Sequence, residues 1–219
     1  MQCKTTRDWR QEFAKVGALF IHDGNPERPH ALLTQGGHSD GFFNATMVIR
    51  DPRLLESAGN VLYEATVSEL NTERDVADTP HWVIGSAMGA VTLAYQMAAS
   101  QGCFAGFTEP AEDERGKQMI LKRFNVKPGS RVLVVEDVIT TGGTTLKTIE
   151  ALEEAGAEVM PAVAVLCNRS GMKELGGRKI ITLINRAMPT WEPENCPLCR
   201  LGSEAIRPKG NWDRLTKQY

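Results

Sequence analysis

Short apolar runs and helix-length segments alternate through the middle of the chain. Trp82-Val83-Ile84 predicts a strand ending at Gly85, and residues 87–100 predict a helix with Val91, Tyr95 and Ala98 on one face. Residues 103–107 predict a second strand. The run Val132-Leu133-Val134-Val135 is short, apolar and β-branched, which predicts a strand buried on both faces. Residues 144–155 predict a helix with Leu146, Ile149 and Leu152 on one side and Gly156 as its C-cap. Residues 159–166 and 180–183 predict two more strands. Alternation of this kind predicts an α/β fold, a mostly parallel sheet flanked by helices. Outside that pattern, helices are expected near residues 9–20 and 54–70, with the turn-rich stretch 35–41 between them. Residues 108–122 are polar and charged and predict a mobile loop.

The chemistry concentrates where the strand at 132–135 ends. Two acids, Glu136 and Asp137, precede Val138-Ile139 and the run Thr140-Thr141-Gly142-Gly143-Thr144-Thr145, which leads into a helix. Ligands of parallel sheets bind at the carboxyl ends of strands. Gly142 and Gly143 let the backbone turn tightly, and the free N–H groups at the helix start favour a phosphate. Hydroxyls of Thr140, Thr141, Thr144 and Thr145 add donors. The carboxylates would repel a phosphate but suit neighbouring sugar hydroxyls or positive charge developing on a sugar ring. A sugar phosphate is therefore the expected ligand. Neither Gly-x-x-x-x-Gly-Lys-Ser/Thr nor a Gly-x-Gly-x-x-Gly after a strand occurs, and Gly85-Ser86-Ala87-Met88-Gly89 is not a nucleophile elbow.

The segment 132–145 resembles the phosphoribosyl pyrophosphate (PRPP) signature of the type I phosphoribosyltransferase family. The resemblance implies that Glu136 and Asp137 hold the ribose hydroxyls, that Thr140, Thr141, Gly142, Gly143 and Thr144 hold the 5-phosphate, and that Mg²⁺ arrives with PRPP, bound mainly through its oxygens. Ser39-Asp40-Gly41-Phe42-Phe43-Asn44, Asn168-Arg169-Ser170 and Cys196-Pro197-Leu198-Cys199 are similar to segments of the orotate branch. This implies a base site formed by Phe42, Phe43, His38 and Arg169, with the arginine on the orotate carboxylate. Ser86, Ala87, Met88 and Gly89 resemble the pyrophosphate loop. A homodimer is implied as well. The corresponding organisation is a helical and base-binding hood in residues 1–80, a PRPP-binding core in 81–187 and a tail in 188–219.

The loop departs from the branch. Thr108-Glu109-Pro110-Ala111-Glu112-Asp113-Glu114 is acidic where lysines and a histidine are usual, leaving Arg115, Lys117, Lys122 and Arg123 as candidate phosphate ligands. Another base, or PRPP sensing without catalysis, stays open at this point. A net charge of −2 argues against a nucleic-acid partner. The polar first fifteen residues resemble no secretion signal, and no apolar run nears the roughly 18 residues of a membrane span. With five scattered cysteines, these features predict a cytoplasmic protein. Phe42 and Phe43 are adjacent, so in a strand they face opposite sides and one belongs to the core. Cys196-x-x-Cys199 lacks a second ligand pair of matching spacing, which predicts a reduced structural turn. Trp191 and Trp212 are expected to be packing anchors.

Overall fold

The computed structural model describes residues 8–71, 79–112 and 118–217. The helices are α1 (Trp9–Lys15), α2 (Thr46–Ile49), α3 (Pro52–Asn71), α4 (Val91–Gln101), α5 (Gly143–Glu154), α6 (Pro197–Arg200) and α7 (Trp212–Thr216). The early strands are β1 (Leu19–Ile21), β2 (His30–Leu32), β3 (His38–Ser39), β4 (Gly41–Phe43), β5 (Trp82–Ser86), β6 (Phe104–Pro110) and β7 (Met119–Ile120). They are followed by β8 (Arg131–Ile139), β9 (Glu158–Asn168), β10 (Glu174–Leu175), β11 (Arg178–Asn185), β12 (Thr190–Trp191) and β13 (Ala205–Ile206).

The main sheet has the order β10-β11-β9-β8-β5-β6-β7. Its five inner strands run parallel, and β10 and β7 close the edges antiparallel. Alternation along the strands divides the core in two. Leu133 and Val135 of β8, with Ala162, Ala164 and Leu166 of β9, pack beneath the buried residues of α3 and α4. Val132 and Val134, with Val163 and Val165, pack against Ile149 and Leu152 of α5. Each Val, Leu or Ile among them contributes about 1.5–3 kcal/mol when fully removed from water. In α4 the buried face is Leu93, Ala94, Met97 and Ala98, while Tyr95 is exposed, contrary to the face expected for it. α4 starts at Val91, four residues later than predicted.

β8 is longer than predicted. It carries both acids within the strand, so parity sends them to opposite faces. The expected mobile loop is a ribbon at its base, with β6 pairing β7 through Glu109↔Ile120 and Pro110↔Met119. A second sheet, β12-β3-β2-β13, forms the hood, and the tail supplies both of its outer strands. The tail at 188–219 is thus built into the hood, while α3, from the first eighty residues, lies on the main sheet.

Candidate active site

The carboxyl ends of β5 and β8 and the bend into α5 enclose a cavity of about 270 Å³. Ser86, Ala87, Gly89, Glu136, Asp137 and Thr140 to Thr145 line it. Gly142 N-caps α5 with φ 78°, in the left-handed region, and no side chain caps the helix. A Cβ on Gly142 would also run into the Leu175 side chain. The first intrahelical bond runs from Leu146 N–H to Gly142 O, so the amides of Gly143, Thr144 and Thr145 precede the ladder. That leaves polarised donors at the positive end of a three-turn helix, aimed at a polar cavity.

The two acids behave differently. Glu136 is 5% exposed. Its oxygens accept from Ser86 Oγ at 2.7 and 2.9 Å and from Thr145 Oγ1 at 3.1 Å. Burial, then the neighbouring Asp137 charge, lifts its carboxyl well above the usual range. Both of its oxygens are engaged by the protein, so Glu136 acts as a clasp between β5 and α5. It still lines the cavity, where a ribose hydroxyl would share its oxygens with Ser86 and Thr145. Asp137 lies on the other face, half-buried, with Oδ1 accepting from Val138 N–H at 2.8 Å. Its carboxylate abuts Gly89, where any Cβ would collide with it. Burial raises its pKa too.

A second cavity, of about 290 Å³, shares Thr140 and Thr141 with the first. Its other walls are Arg169, Ser170, Ala187, Met188, Pro189 and Thr190. Arg169 lines this space, is buried, and donates from Nη2 to Ser39 Oγ at 3.0 Å. Burial lowers its pKa, opposed by the nearby Cys167 and Asp40. Two neighbouring cavities with Thr140 and Thr141 as common wall, one framed by helix-start amides and a carboxylate and the other by an arginine, suit a phosphorylated sugar beside an anionic ring.

Residues 62–185 match the phosphoribosyl transferase domain family. The orotate phosphoribosyltransferase of Desulforamulus reducens is 35% identical over 196 residues, covering 90% of this chain and 92% of that protein. That of Carboxydothermus hydrogenoformans is 37% identical over 190 residues, covering 87% and 94%. The crystal structure of the Aeropyrum pernix orotate phosphoribosyltransferase superposes with a TM-score of 0.63 at 25% identity, covering 80% of this chain and 92% of that one. The chain belongs to the orotate phosphoribosyltransferase family.

Within this orotate phosphoribosyltransferase-family fold, the other expected site residues take varied places. Ser86, Ala87 and Gly89 line the first cavity, while Met88 is 83% exposed beside it. Phe42 and Phe43 line neither cavity. β4 pairs with β1, so Phe43 enters the core against Phe13 at 5.4 Å, and Phe42 turns to Trp212 at 5.7 Å. His38 lines neither cavity; it is buried beside His30, Cys196 and the exposed Cys199. Arg115 and Lys117 lie outside the described residues. Lys122 and Arg123, the other loop cations, are taken up by Glu112 at 2.5 Å and Glu109 at 2.7 Å. Glu109 and Glu112 thus have partners of their own. Sequence reasoning missed Ser39 as the support of Arg169, because only the fold brings 39 and 169 together. It also missed Asp40, whose buried Oδ1 lacks a hydrogen-bond partner.

Proposed function

We propose that the chain transfers the 5-phosphoribosyl group of PRPP to orotate, releasing pyrophosphate and forming orotidine 5′-monophosphate for pyrimidine biosynthesis. The observation that carries this is the junction at Thr140 and Thr141 of an amide-framed cavity with one walled by Arg169. In this reading the amides of Gly143 and Thr144 and the hydroxyls of Thr140, Thr141 and Thr144 hold the 5-phosphate. Asp137 accepts from a ribose hydroxyl, and its charge stabilises the positive ring that forms as the bond from C1 to pyrophosphate breaks. Of the backbone donors near Ala87 to Gly89, Ala87 N–H is taken by Thr108 O, so those of Met88 and Gly89 are assigned to the departing pyrophosphate, with Arg115 and Lys117. Arg169 pairs with the orotate carboxylate and holds the ring nitrogen near C1.

Mg²⁺ fits this donor set. Asp137 offers a hard carboxylate oxygen at the cavity, whereas Glu136 is already engaged by two hydroxyls. When bound, the ion offsets negative charge on the leaving group. We also assign a homodimer, supported by Met88 and Tyr95, which stand 83% and 68% exposed around the start of α4. A cytoplasmic setting agrees with the free thiols of Cys103 and Cys167. The test is pyrophosphate release with PRPP and Mg²⁺, comparing orotate with adenine, guanine, hypoxanthine and uracil. Turnover with orotate alone is expected. Turnover only with another base overturns the choice of orotate, and PRPP binding without turnover for any base overturns catalysis.

A further inference from the structure

The hood contains four side chains for which the transfer reaction has no use. His30 of β2, His38 of β3, and Cys196 and Cys199 at the start of α6 bring their donor atoms within 4.8 Å of one another. Cys196-x-x-Cys199 does have a second ligand pair after all. It is split between two antiparallel strands, paired as Leu32↔His38, so no short sequence spacing announces it. We propose that these four residues form a structural site for one divalent zinc-type ion, which pins the tail onto the hood.

Bond geometry supports the assignment. Zinc binds thiolate at about 2.3 Å and imidazole at about 2.0–2.1 Å in tetrahedral sites, which places nitrogen and sulfur ligands about 3.6 Å apart and two nitrogens about 3.3 Å apart. His30 Nε2 lies 3.5 Å from Cys196 Sγ and 3.6 Å from Cys199 Sγ. His38 Nδ1 lies 3.2 Å from Cys199 Sγ and 3.1 Å from His30 Nε2. Four of the six separations thus already lie near the edge lengths of a coordination tetrahedron, and the other two stay within 4.8 Å.

The surroundings set the right tautomer. Ser203 Oγ donates its one hydrogen to Arg28 O at 2.7 Å. In that arrangement it accepts at His30 Nδ1, 2.8 Å away. His30 Nδ1 then carries the hydrogen, and the lone pair of Nε2 faces the two sulfurs. An outer partner of this kind orients metal-bound histidines. Two nitrogens and two thiolates leave no open position, which marks a closed, structural site. Binding displaces the two thiol protons.

The hood needs such a staple. Its own cluster of buried apolar residues is Phe20, Ala31, Ile206 and Leu215. So small a core holds a four-stranded sheet weakly. The site sits between β12 and β13, the two strands the tail adds, and His38 adjoins Ser39, the support of Arg169.

The test is metal analysis of the purified full-length chain in reducing buffer, with Co²⁺ exchange as a spectroscopic probe. About one zinc per chain is expected, together with the visible absorption of tetrahedral, thiolate-bound Co²⁺. Cys199→Ser, at a more exposed position, should weaken zinc binding beyond the roughly 10–100-fold that loss of an outer partner costs. A wild-type chain that takes up neither ion, or a Cys199→Ser chain that binds zinc as tightly as wild type, overturns the proposal. Because wild-type metal content and the Co²⁺ spectrum need no variant, a poorly folding mutant leaves the test intact.

Discussion

Gly89→Ala should disable the PRPP site without unfolding the protein. A Cβ built on Gly89 lies 2.6 Å from Asp137 Cγ and 2.8 Å from Oδ1, closer than side-chain carbons normally approach. Asp137 is a short side chain with Oδ1 held by Val138 N–H at 2.8 Å, so it must leave its rotamer to make room. That displacement costs about 0.5–1.5 kcal/mol. The backbone at Gly89 is not in the left-handed region, so alanine restricts the unfolded chain and returns about 0.4–1 kcal/mol. Stability therefore changes little. Function does not escape, because a displaced carboxylate loses its charged hydrogen bond to the ribose, worth roughly 1.5–3 kcal/mol. That corresponds to a fall of about 10- to 100-fold in kcat/KM for PRPP. The assay is pyrophosphate release across a PRPP titration, paired with a Tm. A double-mutant cycle with Asp137→Asn sharpens it: both changes act on one carboxylate, so the double variant should be scarcely worse than either single one. Unchanged kcat/KM in Gly89→Ala, or effects of the two changes that simply multiply, would refute the reasoning.

Asp137→Asn alone should lower kcat/KM for PRPP by about 10- to 100-fold, read by the same assay, with full activity removing Asp137 from the site. Glu136 has a folded pKa pushed up to about 8, so the folded chain holds a proton that the unfolded chain releases in the ordinary carboxylate range. Free-protein stability should thus fall as pH rises from that range through about 8, and Glu136→Gln should flatten the fall; denaturant midpoints across this window check it, and an unchanged slope counts against it. Arg169→Lys keeps the charge but loses the planar fork, so KM for orotate should rise by about tenfold or more while PRPP binding without orotate stays as it was; a matching loss in PRPP affinity would place Arg169 outside the base cavity.

The core strands and the helix after the bend were legible because each obeys a local rule. Val132 to Val135 is a β-branched apolar run, and Leu146, Ile149 and Leu152 repeat at helical spacing before Gly156, which has φ 79°. The cavity at the bend was legible for the same reason, since one contiguous stretch builds most of it. What stayed hidden depends on pairing across the chain. The strand parity that turns Glu136 toward Thr145 and Asp137 toward Gly89 needed the true end of β8. Phe42 and Phe43 looked like a base platform, yet the β1–β4 register assigns them to Trp212 and Phe13. The acidic residues of the loop read as a departure in chemistry, while Glu109 and Glu112 pair with Arg123 and Lys122 of the same ribbon. The His–Cys cluster was beyond reach because its pairs lie at opposite ends of the sequence.

A crystal structure with PRPP and Mg²⁺ tests the central claim most directly. It should show the 5-phosphate within hydrogen-bond distance of the amides and hydroxyls between Thr140 and Thr144, with a ribose hydroxyl on Asp137. PRPP bound elsewhere, with that bend left empty, would contradict it.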